Sequence, residues 1–506
     1  MWRVKSLDAV LATAEKKALR RSLGPIQLTL LGIGGIIGTG IFVLTAEAAQ
    51  KAGPGMMLSF ILAGAVSACA ALCYAELAST VPVSGSAYTY SYTVLGEMMA
   101  WLVGWALILE YAVAASAVSV GWSGYVVGLL ANLPDPIVIP PELAAGPYAG
   151  GVVNLLAVGI ALAITCLLVI GTRESATVNA CLVAVKLVAL GAFIWLALPA
   201  MNNDNFHPFL PNGWGSLGVI GAASSIFFGY VGFDAVSTAA EEAKNPQRNL
   251  PIGLIASLSI CTVIYLLVAA GAIGSYGAQP VLGAHGEVLQ PGSMALQAQC
   301  ASLASQPLVC SSEALAHVLR SIHHPLVGNL LGLAAGLALP TVILMMIFGQ
   351  TRIFFVMARD GLLPEVLSRV HPKFRTPHVV TWITGIAVAF GAAFLPVGQL
   401  ADFSNSGTLF GFAMVALSVM VMRRTQPDRH RPFRMPLIWL FAPLAIAGCA
   451  LLFVFLPWQA QLRFLIWSAI GLVFYFSYGY RHSHVARGKT EVPELDQDAP
   501  QGPLST

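Results

Sequence analysis

Charge is what this chain has least of. Asp, Glu, Lys and Arg make up 10% of its 506 residues, where a soluble domain carries about a quarter. Neither sign dominates: 26 basic residues face 23 acidic ones, a net charge of +3. A nucleic-acid binder needs a basic patch, and none survives that dilution. A soluble enzyme of this length would need two or three domains coated in charge, and that charge is missing. HExxH, GxSxG and a phosphate loop are absent too, so the chain does not read as an enzyme. His207, His285, His323, His324 and His371 fall near loops without metal-ligand spacing, and no metal or cofactor is expected. What is plentiful is apolar: 57% of residues are hydrophobic and mean hydropathy is +0.77. The composition is that of an all-α integral membrane protein.

A bilayer core about 30 Å thick takes roughly 20 apolar residues as a helix. Twelve stretches qualify, at about 26–48, 57–81, 98–131, 150–171, 177–200, 214–240, 251–275, 324–358, 377–396, 400–422, 435–456 and 460–480. The runs are too long for barrel strands and do not alternate. Basic residues test this count. With an even number of spans and a cytoplasmic N-terminus, the outer segments hold only Lys51, Arg320 and Arg463. Lys186 falls inside a span, and every other Lys and Arg lies on the cytoplasmic side. That asymmetry obeys the positive-inside rule and places both termini in the cytoplasm of a multi-pass cell (inner) membrane protein.

The flanks are polar. Residues 1–25 are charged and amphipathic, without the apolar core of a secretory leader, and read as an interfacial segment. The tail at 488–506 is polar and acidic, the composition of disorder. A long outer loop runs over 276–323. Of eight cysteines, Cys69, Cys73, Cys166, Cys181, Cys261 and Cys449 lie within spans. Cys69 and Cys73 are one turn apart but lack metal-ligand partners, so packing is the plainer reading. Cys300 and Cys310 share the outer loop, where a disulfide is compatible with the compartment.

Two spans are poor helix sequences. The first contains Gly32, Gly34, Gly35, Gly38 and Gly40, and each glycine costs up to about 1 kcal/mol in a helix interior. Close helix packing through small residues is one explanation. A mid-membrane break that lines a binding cavity is another. The sixth span favours the break: it has Gly229 and Gly232, then Asp234 at membrane depth. Two Gly-interrupted spans five apart point to an inverted repeat, with spans 1–5 over 26–200, spans 6–10 over 214–422, and two further spans over 435–480. Broken helix ends offer N–H groups to a carboxylate and carbonyls to an ammonium. A site with both suits an α-amino acid.

Long strings reinforce this reading: GIGGIIGTGIFV (32–43), YAELASTVPVSGSAYTY (74–90), FFGYVGFDAVSTAAEEAKNPQRNLP (227–251), GQTRIFFVMARDGLLP (349–364), HPKFRTP (371–377) and DFSNSGTLFGF (402–412). Over about 20–425 the chain resembles the cationic amino acid transporter branch of the amino acid–polyamine–organocation superfamily. The resemblance implies the five-plus-five inverted-repeat fold, with spans 1 and 6 broken, and alternating access. It implies that N–H groups of Gly38, Thr39 and Gly40 meet the substrate carboxylate. Carbonyls of Ile36, Phe228 and Val231 would meet its ammonium, with Phe228 as a gate.

Lys186 stands mid-span, where an isolated ammonium costs at least a few kcal/mol unless paired or neutral. Similar transporters use a Lys at this place where sodium-coupled relatives bind an ion, so proton coupling and sodium independence are expected. Glu110 faces either the cavity or a polar helix contact. Asp234 is a proton or gate residue, or caps the second half-helix. Glu241, Glu242, Lys244 and Arg248 are expected to form an inner gate network with Arg352, Arg359 and Asp360, and Glu76 is read the same way. In span eight, Ala338, Pro340 and Thr341 are expected to form the pocket wall. Only Thr341 could greet a cationic side chain, and Pro340 departs from the family's small or hydroxyl residues. The expected substrate is therefore a small or medium neutral amino acid, with cationic ones as the alternative. An amino acid or polyamine exchanger and an arginine or lysine uniporter remain open. The expected partners are amino acid, protons and the lipid bilayer, with no obligate protein partner.

Overall fold

The computed structural model describes Val4, 23–83, 85–171, 176–303, 305–374, 376–485 and Arg487. Of the expected interfacial segment at 1–25, residues 1–3 and 5–22 lie outside the described residues, as do Arg173, Arg375 and the tail at 488–506. Among those residues the chain is helical, and its only β pairings are the isolated bridges Leu23–Ala243 and Leu282–Val288. Among the described residues, nine helices are long and apolar enough to cross a membrane. Pro25–Ile36, Leu155–Ile170 and His378–Phe394 are shorter apolar helices.

The chain opens with α1 (Pro25–Ile36), begun by a proline that needs no intrahelical donor. After it come α2 (Thr39–Phe42), α3 (Leu44–Ala52) and α4 (Met56–Thr80). Then follow α5 (Ser86–Val94), α6 (Glu97–Ala131), α7 (Leu155–Ile170) and α8 (Ala176–Ala197). The second half holds α9 (Val219–Ile226), α10 (Ala235–Thr238) and α11 (Pro246–Tyr276). Two helices of the loop, α12 (Met294–Ser302) and α13 (Ala314–Ser321), precede α14 (Pro325–Arg359). The chain closes with α15 (His378–Phe394), α16 (Val397–Thr425), α17 (Ile438–Phe455) and α18 (Trp458–Phe474).

The pairings put the interrupted helices at the centre. Helix α1 lies on α11 and α9 on α4, while α6 packs on both α14 and α16. From Gly32 onward through α3, and along α9, nearly all residues are buried, whereas α17 and α18 leave Leu440, Val454, Leu465 and Val473 exposed. An apolar residue facing outward is what a lipid-facing helix carries.

The loop at 276–323 is ordered by polar staples. Gln50, at the end of α3, donates to the carbonyls of Val281 (2.8 Å) and Leu289 (3.0 Å) and accepts from the Val281 N–H (2.8 Å). Cys300 and Cys310 are joined in a disulfide. Glu313 and Arg320 form a two-pronged ion pair beneath α13, whose apolar face is buried against α14.

Candidate functional site: two interrupted helices and their neighbours

Helix α1 ends at Ile36, and the backbone turns extended at Ile37 (φ −74°, ψ 94°) and Gly38 (φ −144°, ψ −149°) before α2. Opposite it, α9 tightens into a 3-10 turn at Phe227–Tyr230, becomes extended at Val231 (ψ 140°) and reaches Gly232 at φ +114° before α10. The two interruptions lie against each other. A Cβ on Gly40 would fall 2.1 Å from the Gly229 Cα, and one on Gly232 would fall 2.7 Å from the Gly35 carbonyl. Glycine is required because backbone meets backbone there, and at Gly232 also because φ is positive.

Free backbone groups follow. The last bond of α1 is Ile37 N–H to Ile33 O (2.9 Å), so the carbonyls of Gly34, Gly35 and Ile36 lie past its ladder. The next turn begins with Phe42 N–H to Gly38 O (3.4 Å) and Val43 N–H to Thr39 O (2.9 Å). The N–H groups of Gly38, Thr39 and Gly40 precede those bonds. The Thr39 hydroxyl is buried without a hydrogen-bond partner among the described residues.

Side chains from other helices meet the freed carbonyls. Lys186, on α8 and fully buried, donates from Nζ to Gly34 O at 2.9 Å. Tyr265, on α11, places its hydroxyl 2.8 Å from both Ile36 O and Gly229 O. Its single proton serves one carbonyl at a time, so it bridges the two interruptions. The Phe228 carbonyl accepts the Val231 N–H at 3.2 Å, and both residues are buried. Just beyond, Asp234 accepts from Gly232 N–H (3.2 Å) and from the Tyr111 hydroxyl (3.0 Å). Glu110, the residue before Tyr111, is fully buried, and its carboxylate has no hydrogen-bond partner among the described residues.

Helix α14 contributes differently from the sequence reading. Built on Gly38, a Cβ would touch Val342 at 3.6 Å; on Gly35 it would meet the Met345 thioether at about 3.1 Å. Ala338 shares that stripe, at i, i+4 and i+7. Pro340 is two residues from both Ala338 and Val342 and so faces away from the interruption. A proline has no N–H for the carbonyl four residues back, and that carbonyl, Gly336 O, accepts the Trp122 indole N–H at 2.8 Å. Thr341 turns its hydroxyl to Ala338 O (2.8 Å). The helix geometry therefore turns Pro340 away from Gly38–Gly40, while Thr341 lies one turn from both Ala338 and Met345.

The charged networks also differ. At the end of α3, Lys51 donates to the Ser225 hydroxyl, which donates to Asp402 at 2.5 Å; Asn405 holds the carbonyls of Ser224 and Ser225 at 2.8 and 3.0 Å. Lys51, Ser225 and Asp402 are all buried, and the Glu47 carboxylate covers Gly398. Of the expected inner network, the described residues show an Arg352–Glu242 pair at 3.5 Å. Asp360 accepts from the Tyr88 hydroxyl at 2.9 Å. The side chain of Glu241 lies outside the description. Glu76 is separate from that network: it receives two bonds from Arg423 (2.7 and 2.6 Å) and approaches Arg431 at 3.4 Å. Sequence reasoning missed Tyr265, Tyr111, Trp122 and Val342. In an apolar span each reads as ordinary core.

Residues 23–475 match a protein family described as "Amino acid permease". The chain is 44% identical to a branched-chain amino acid permease of Bacillus subtilis, over 96% of this chain and 98% of that protein. It is 41% identical to a methylthioribose transporter of the same organism, again over 96% and 98%. A vacuolar cationic amino acid transporter of Arabidopsis thaliana is 34% identical over 81% of this chain and 64% of its own length.

Proposed function

We propose that this chain, which belongs to the amino acid permease family, imports neutral, mainly branched-chain L-amino acids across the cell membrane by alternating access. The observation that carries the reading is the Gly40–Gly229 contact, which sets free backbone donors and acceptors of two interrupted helices around one point. The substrate carboxylate takes the N–H groups of Gly38, Thr39 and Gly40. Its ammonium takes the carbonyls of Ile36, Phe228 and Val231, and Phe228 closes over it. The backbone supplies this recognition, so the side chain is selected by the wall. Ala338, Val342 and Met345 make that wall apolar, which suits a branched aliphatic group and offers a cation no counter-charge. The B. subtilis branched-chain permease supports the same choice.

Twelve spans in a five-plus-five inverted repeat, with both termini cytoplasmic, accommodate these contacts. Exchanging each span with the one five later turns the α1–α11 pairing into the α9–α4 pairing, and α6–α16 into α14–α8, all of which occur. Coupling is to protons, without sodium, through Lys186. The charged ammonium holds Gly34 O strongly; on losing its proton it becomes a weaker donor, and the inner half of the first span is released. Glu110 and Asp234 lie along the inner exit and act there as proton or gate groups.

A second reading has one observation behind it: the relative named as a methylthioribose transporter is 41% identical. That compound has neither carboxylate nor ammonium, so it would leave the backbone groups unmatched. Uptake of leucine, alanine, arginine and methylthioribose into proteoliposomes, with and without an inward proton gradient, decides. Gradient-driven leucine uptake without sodium is expected. Arginine or methylthioribose as the preferred substrate overturns the neutral reading, and a need for internal substrate selects an exchanger.

A further inference from the structure

We propose that a groove between α11 and the segment linking α16 to α17 binds one anionic phospholipid of the inner leaflet. The groove has a volume of about 670 Å³ and is lined by Gln247, Arg248, Pro251, Ile252, Ile255 and Phe433, among others. Five of these sit at four-residue steps along one face of α11. The first turn is polar, Gln247 and Arg248. The next two are apolar, Pro251, Ile252 and Ile255. A cation above an apolar gutter is complementary to an anionic headgroup above an acyl chain, and basic pockets at the cytoplasmic ends of spanning helices recognise such lipids.

Two further features support an occupant of this kind. Arg248 lines the groove, Lys244 and Arg434 stand close in sequence to lining residues, all three are exposed, and no salt bridge among the described residues engages them. The far wall is also built in place. Phe433 N–H donates to Ser79 Oγ at 3.3 Å, and Met435 N–H donates to Glu76 Oε2 at 2.8 Å. Arg423, paired with Glu76, also donates to Met435 O at 3.0 Å. The fully buried Glu76 thus has a use: it fixes the wall so that the groove exists before a lipid arrives. A preformed site loses little entropy on binding.

The position has a consequence for transport. The opposite face of α11 bears on α1: a Cβ on Gly253 would meet Leu28 at 2.9 Å, and one on Gly32 would meet Ser257 at 2.4 Å. A lipid seated on α11 therefore steadies the helix that carries the inner half of the first span. The proposal rests on the membrane orientation given above, though not on the substrate or on proton coupling.

The test is direct binding to the full chain in nanodiscs. Native mass spectrometry counts phosphatidylglycerol retained from mixtures with phosphatidylcholine, for the wild-type chain, Arg248→Gln and Phe433→Ala. One phosphatidylglycerol per chain is expected, with retention falling about fivefold or more in Arg248→Gln, a surface change that leaves the fold alone. Millimolar inorganic phosphate should not displace it. Equal retention in the wild type and Arg248→Gln, or no preference over phosphatidylcholine, overturns the proposal. Displacement by phosphate also overturns it, in favour of a free-anion site. Because lipid is counted without transport, a chain that binds it yet moves no amino acid refutes the functional reading alone.

Discussion

The two ends of the interrupted helices are closed by different chemistry. With the membrane orientation proposed above, α3, α9 and α16 are joined at the outer end through Lys51, Ser225 and Asp402, all buried. At the inner end the ion pair between Arg352 and Glu242 is 3.5 Å long and about a third exposed on each side. A buried charge that loses its partner is strongly destabilised, by about 3–5 kcal/mol. An exposed pair contributes about 0–1 kcal/mol. The outer side is therefore locked and the inner side only latched, and inward opening is the easier movement from this state.

Lys51→Met should break that contrast most severely, since it leaves Asp402 and Glu47 without their cation. An Ala46→Cys probe, buried in α3, should then react about tenfold faster with an impermeant maleimide added outside. Arg352→Gln should leave that rate unchanged. If both variants expose Ala46→Cys equally, the two ends are not differently closed.

A similar contrast exists at the contact itself. Gly40→Ala drives a methyl into the Gly229 backbone, and nothing can yield without moving an interruption, so uptake should fall about a hundredfold. Gly229→Ala meets Gly40 and Tyr265 at 3.5 Å, an ordinary contact distance, and should keep uptake within about fivefold. Equal losses would show that the crossing is not set by this backbone approach.

Lys186 and Tyr265 serve neighbouring carbonyls with a charge and a neutral hydroxyl. Lys186→Met should abolish accumulation driven by a proton gradient while leaving leucine binding within a few-fold of the wild type. Tyr265→Phe removes one hydrogen bond worth about 1 kcal/mol, so KM should shift by about fivefold, with its response to the gradient intact. The comparison fails if Tyr265→Phe uncouples as Lys186→Met does.

Much of this was legible in the sequence, because long apolar runs, glycines and a mid-span Lys are signals a residue carries by itself. The interruptions at Gly38 and Gly232 and the burial of Lys186 within a span belong to that class. What was not legible were partners. Gln50 meets Val281 across 231 positions, and Tyr265 meets Ile36 across 229. No periodicity encodes such meetings. The order of the outer loop was hidden for that reason, as was the separation of Glu76 from the inner network.

Pro340 is the sharpest case, since its oddity is visible in the sequence but its meaning sits on another helix. It frees Gly336 O, and Trp122, 214 positions away, satisfies it. Leaving a buried acceptor unpaired costs about 1–3 kcal/mol, so Trp122→Phe should lower the thermal midpoint by a few degrees without touching selectivity. In a Pro340→Ala chain the helix supplies its own N–H to Gly336 O, and Trp122→Phe should then cost about a third as much. A double-mutant cycle reads the difference as a coupling energy. No coupling, or a switch from leucine to arginine in Pro340→Ala, would return Pro340 to the substrate wall.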